Sequence, residues 1–211
     1  MKSKSLFFLF LIMSFIMTTQ AQEEKRTKVE ITTSMGKMVV ELYNETPIHR
    51  DNFIKLVKEG FYDQSEFHRI IKEFMIQGGG HNGGMKDAGY TIEAEIIPGV
   101  MHKRGALAAA RKGDQVNPEK RSSGSQFYIV DGRKFSEGEL QMLGQRMGKP
   151  FDKAQIEVYT TLGGAPHLDG GYTVFGELVE GFDVLDKIAA VETGRMDKPH
   201  KAVTMKARII E

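Results

Sequence analysis

Short strand-like runs separated by glycine-containing turns recur along most of the chain. That spacing restricts the fold more than any other feature. Val29 and Ile31 alternate with polar residues over 27–33, and Met38, Val40 and Leu42 do so over 37–43, with Met35 and Gly36 between the two runs. Further runs occupy 67–71, 74–77, 105–110, 126–130, 172–179 and 203–210. Helical signals are few. Thr46 and Pro47 form a helix start, with threonine as N-cap and proline at the first helical position. Phe53, Leu56 and Val57 give that helix its apolar stripe, and Gly60 stops it. Residues 182–188 form a second short helix. Many short strands with few helices point to a closed barrel or a sandwich.

One stretch breaks the pattern. Over about 134–166 the period becomes helical. Ser136 and Glu139 match a capping box ahead of Leu140, Leu143 and Met147. Asp152 and Gln155 repeat the signal ahead of Ile156, Tyr159 and Leu162, with Gly163 and Gly164 as the stop. Two such helices need a surface to cover, because short isolated helices are marginal in water. They are expected to pack on each other and on the rest of the domain.

The N-terminus differs again. Lys2 and Lys4 precede an apolar run over 6–17 broken only by Ser14, and Thr19-Gln20-Ala21 offers small residues at the cleavage positions. Residues 1–21 therefore read as a secretory signal peptide, leaving 22–211 as one domain. A stable membrane anchor is not expected, since a spanning helix needs about 20 apolar residues. The expected location is periplasmic or secreted. The formal net charge of +1 gives no electrostatic case for nucleic acid. The chain has no cysteine, which excludes disulfides and thiol catalysis.

Chemistry concentrates in two segments. The first, over 67–79, reads FHRIIKEFMIQGG, and the second, over 123–130, reads SGSQFYIV. Together they supply one arginine, two glutamines and several large apolar side chains, without paired carboxylates. That set suits gripping an apolar, uncharged group and hydrogen-bonding its amide. Five glycines crowd residues 78–84, but no Gly-Lys-Ser/Thr ending follows, so this is turn chemistry and not a phosphate loop. His68, His81 and His167 form no close cluster, and neither a metal nor a cofactor is expected.

These two segments, with His167-Leu168-Asp169-Gly170 and Val174-Phe175-Gly176, resemble the three signature regions of cyclophilin-type peptidyl-prolyl cis-trans isomerases. The likeness runs from about Val29 to Ile210, apart from the helical insertion. It implies a mainly β fold, a closed eight-stranded antiparallel barrel capped by two helices, and isomerisation of X–Pro bonds in proline-containing polypeptide clients, assisting the folding of exported proteins. A monomer is expected. The resemblance makes Arg69 the catalytic arginine, His68 its neighbour and Gln77 the residue that positions it. Phe74, Met75, Tyr128 and Leu168 become pocket walls, Gln126 a substrate contact, and Ala110 with Arg111 the backbone that holds the chain ahead of proline. Tyr128 stands where phenylalanine is usual, and Tyr172 replaces a rim histidine. His167 stands where many members carry tryptophan, which implies weak cyclosporin binding. The rival expectation is a barrel that binds proline segments without turnover.

Overall fold

The computed structural model describes residues 25–211. The signal-peptide reading of residues 1–21 lies outside them. In chain order the elements are β1 (Lys28–Thr33), β2 (Gly36–Leu42), α1 (Pro47–Lys58), β3 (Ser65–Phe67), β4 (Arg69–Ile71) and β5 (Met75–Gly78). Then come β6 (Thr91–Ile92), β7 (Ala106–Ala109), β8 (Ser122–Ser123), β9 (Phe127–Val130), α2 (Glu137–Met147), α3 (Lys153–Thr161), β10 (Val174–Glu180), α4 (Phe182–Ala189) and β11 (Val203–Ile209). One sheet has the order β3-β11-β1-β2-β10-β7-β9-β5-β4, and β6 pairs with β8 apart from it.

The nine segments of the large sheet make eight strands. β3 and β4 flank a single residue, His68, and are one strand kinked there. β3 pairs with β11 at one edge of the sheet, and β4 pairs with β5 at the other. His68 N donates to Gln77 O at 3.0 Å, and Glu66 bridges to Gly80, so the edges meet. The barrel expectation stands, and the sandwich falls away because a sandwich would leave both edges open.

Alternation along the strands sorts side chains into two clusters. Val29, Ile31, Met38, Val40, Phe67, Ile70, Ile76, Leu107, Phe127 and Ile129 fill the interior. α1 and α4 bury Phe53, Leu56, Val184, Leu185 and Ile188 against that core. The opposite face of β5, β7 and β9 carries a second cluster of Met75, Ala106, Ala108, Tyr128 and Val130. β7 and β9 are thus buried on both faces, which is why they read as unbroken apolar runs.

The start of α1 is not capped as the sequence suggests. Thr46 stands at the N-cap, yet its hydroxyl donates to Tyr43 O. Glu95 does the capping from a distant loop, accepting from Ile48 N at 3.0 Å and His49 N at 2.9 Å. A carboxylate serves a helix N-terminus better than a hydroxyl, since it also answers the dipole. The same Glu95 lies 2.6 Å from His49 Nδ1, while His49 Nε2 lies 2.9 Å from Ser122 Oγ. The order resembles a nucleophile, base and acid. Ser122 is only 1% exposed, however, so no substrate reaches it, and the cluster acts as a lock between α1 and β8.

Both capping boxes of the insertion form as expected, at Ser136/Glu139 and Asp152/Gln155. The insertion ends at Gly164, which bridges to Lys103 and Arg133. A Cβ there would sit 2.3 Å from His102 O, so only glycine permits this approach.

Candidate active site

Cross-strand register builds the site. Arg69 on β4 faces Gln77 on β5, Gln77 faces Tyr128 on β9, and Tyr128 faces Ala108 on β7. Directly opposed residues point to the same face of a sheet. The rank therefore presents arginine, amide and aromatic ring side by side on the outer face of the barrel. Met75, two residues before Gln77, shares that face.

These residues line a cavity of about 120 Å³, completed by Phe74, Ala110, Arg111, Leu168 and Tyr172. Phe74, Met75, Tyr128 and Leu168 supply apolar walls, Arg69, Gln77 and Arg111 polar ones, around room for one small ring. A wider depression of about 420 Å³ adjoins it and shares Gln77, Ala110 and Arg111, with Gln126 and Ser123 on its other side. A small slot thus opens into a wider groove.

Polar atoms in the site are held in defined ways. Arg69 Nε donates to Asp197 Oδ2 at 3.2 Å, and the side chain is 41% exposed. The resemblance makes Gln77 the residue that positions this arginine. In the structure Gln77 Nε2 donates to Gln126 Oε1 at 3.2 Å, and Gln126 Nε2 donates to Gly84 O at 2.9 Å. The two glutamines tie the glycine-rich loop to the groove. Arg111 stacks over Tyr172 at 4.4 Å and donates from Nε to Gly171 O at 2.7 Å, bracing the loop that carries Leu168.

Two candidates lie outside the cavity lining. His68 packs against Gly84, and His167 stacks on Phe74 with ring centroids 5.2 Å apart. Burial lowers the pKa of His68, which is half-buried, whereas His167 is exposed. Burial also pushes the Tyr128 phenol well above its usual value, so it stays a neutral hydroxyl. Its Oη has no hydrogen-bond partner among the described residues.

Sequence reasoning assigned nothing to Asp169 or Asp197. Asp169 follows Leu168 directly. It accepts from His102 N at 2.9 Å and Tyr159 Oη at 2.7 Å, and lies 3.0 Å from His102 Nδ1. His102 in turn stacks on Tyr128, with planes 14° apart. The insertion thus reaches the pocket through one carboxylate, as its expected packing against the barrel requires.

Comparison with known proteins adds a second line of support. A family model described as cyclophilin type peptidyl-prolyl cis-trans isomerase/CLD matches residues 28–209. A Staphylococcus epidermidis protein, provisionally named a peptidyl-prolyl cis-trans isomerase, is 34% identical over 194 residues, covering 90% of this chain and 94% of that protein. A Streptococcus pyogenes protein, provisionally named a bifunctional phosphatase/peptidyl-prolyl cis-trans isomerase, is 43% identical over 183 residues. That match covers 83% of this chain but only 37% of the streptococcal protein. Among solved structures, a Cryptosporidium parvum cyclophilin-type isomerase superposes with a TM-score of 0.68 at 27% identity, covering 88% of this chain and 98% of its own. A second structure of it, in the presence of the dipeptide Ala-Pro, gives 0.66 at 26% identity, covering 87% and 99%.

Proposed function

This chain belongs to the cyclophilin-type peptidyl-prolyl cis-trans isomerases, and we propose that it turns X–Pro bonds with Arg69 stabilising the twisted amide. The observation that carries this reading is the cross-strand rank of Arg69, Gln77 and Tyr128 beside a small, partly apolar slot.

Delocalisation of the nitrogen lone pair sets a barrier of about 18–20 kcal/mol to rotation about a peptide bond. An X–Pro bond therefore turns over in tens to hundreds of seconds unaided, although its two isomers differ little in energy. Catalysis needs tighter binding of the twisted amide than of either planar form. Phe74, Met75, Tyr128 and Leu168 clamp the pyrrolidine ring. Arg69 donates to the proline carbonyl and to the nitrogen lone pair that twisting localises. A guanidinium stays charged across the physiological range, so the step needs no proton transfer. The chain ahead of proline lies along the groove, against the backbone of Ala110 and Arg111 and the amide of Gln126. The clients are proline-containing polypeptides.

The N-terminal reading supports export with cleavage after Ala21. The mature protein then works on exported chains, as a monomer in the periplasm or outside the cell. No helix among the described residues is long and apolar enough to cross a membrane.

Replacing Arg69 by alanine tests the catalytic assignment. The variant is expected to fold and to lose kcat/KM on a proline tetrapeptide by about 10²–10³, the scale of one preorganised charged donor removed from a transition state. Near-normal turnover by the folded variant would remove Arg69 from the mechanism. Binding of the peptide without turnover by the parent would make the protein a binding module.

A further inference from the structure

We propose that Asp197 is the positioning residue of Arg69, a role that rests on the catalytic reading above. Arg69 presents three donor groups. Nε is engaged by Asp197 Oδ2 at 3.2 Å, and the two terminal Nη groups have no protein partner among the described residues. A carboxylate on Nε fixes the plane of the guanidinium while leaving its outer edge free for substrate. Gln77, opposite Arg69 in the ladder, gives its amide N–H to Gln126, and among the described residues its Oε1 accepts nothing from Arg69.

Asp197 is brought there by a hairpin built for the purpose. Thr193 bridges to Pro199, Gly194 N donates to Lys198 O at 2.8 Å, and His200 N donates to Glu192 O at 3.1 Å. The tip holds Met196 at φ 62° and Asp197 at φ 59°, both in the left-handed region. A left-handed pair is the common geometry of a tight hairpin tip, and aspartate tolerates it better than methionine does. Met196 is 82% exposed, so core packing does not hold the tip in that conformation. The ladder at its base and the Asp197 contact with Arg69 are what define it. The hairpin therefore sets one carboxylate against one guanidinium.

The pair is exposed, with side-chain accessibilities of 41% and 43%, and salt will screen it. Its signature follows from that. Asp197→Ala is expected to melt like the parent while kcat falls about two- to five-fold at low salt with KM little changed, the range of one exposed ion pair. Raising salt from about 10 mM to 1 M shortens the screening length from about 30 Å to about 3 Å and should bring the parent down to the variant, whose own rate stays flat. Asp197→Asn keeps an acceptor for Nε and should recover part of the loss. In an Arg69→Ala background the same substitution should change nothing.

Parent-like kcat for Asp197→Ala at low salt, a rise in kcat, or an equal loss with Arg69 absent would each overturn the proposal. If Asp197→Ala does not fold, Asp197→Asn and the chemical shift of the Arg69 guanidinium Nε–H in it decide: an unchanged resonance rejects the contact. A fully active Arg69→Ala enzyme would instead reject the catalytic reading, so the two failures are distinguishable.

Discussion

The two walls of the pocket are made differently. The strand wall, with Arg69, Met75, Gln77 and Tyr128, takes its geometry from ladders between β4, β5, β9 and β7. Its order is spread over many backbone bonds, none of them decisive. The loop wall, with Leu168 and Tyr172, lies outside any ladder. It hangs on Asp169, whose side chain is 6% exposed and whose partners are His102, Tyr159 and Gln155. Two of those partners belong to α3. One wall is therefore the barrel itself, and the other is fastened to the barrel by the insertion.

The largest expected effect falls on that fastening. Asp169→Ala strips His102 and Tyr159 of a buried acceptor and should cost about 2–5 kcal/mol of stability, at about 1–3 for each buried polar group left without its partner. Chemical denaturation measures it, and a loss below about 1 kcal/mol would erase the contrast between the walls. Tyr159→Phe removes one hydrogen bond to that carboxylate and should cost about 1.5–3 kcal/mol. Because Leu168 adjoins Asp169, KM for a proline peptide should rise with it. An unchanged KM would detach the insertion from the pocket.

Acidification should act more weakly. Burial lowers His68 beside the strand wall and His49 in the α1 lock below their ordinary value of 6.5. As pH falls, the unfolded chain takes up these protons before the folded one. The stability they contribute is complete above pH 6.5 and is lost as pH drops toward their folded values. The raised carboxyl of Asp131 has the opposite sign but acts upward from 3.8, a lower window. A melting temperature that is flat from pH 7 to pH 5 would contradict the histidine account. Smallest of all is Tyr128→Phe. It deletes a buried hydroxyl without a partner, so stability should stay within about 1 kcal/mol or rise. A large loss would show that the hydroxyl is satisfied in solution.

Local signals were readable in advance and distant ones were not. The strands, the two capping boxes and the Gly60 stop after α1 each rest on residues within a few positions of one another. Arg69 and Gln77 could be placed by motif. Glu95 caps a helix 46 positions before it, and Asp197 meets Arg69 across 128 positions. Nothing near either acid announces a partner, because each pairing exists only after the barrel closes. Thr46 shows the converse: a favourable local cap was outcompeted by a carboxylate that only the fold could deliver. The count of eight strands is likewise invisible to a residue-by-residue reading, which sees β3 and β4 as separate segments because His68 interrupts them.

Closure through that kinked strand also sets the order in which the molecule can form. Glu30 on β1 and Arg208 on β11 bond across 178 residues of sequence. During synthesis, β3 waits without its β11 neighbour, and β1 with only β2 beside it, until the last strand has emerged. Contacts this distant demand loop-closure entropy before they return any stabilisation, so the barrel should be slow to fold. Until then two open strand edges are exposed to other chains. A catalyst for one slow step in the folding of its clients is itself delayed by a second kind of slow step, one that no isomerase can shorten.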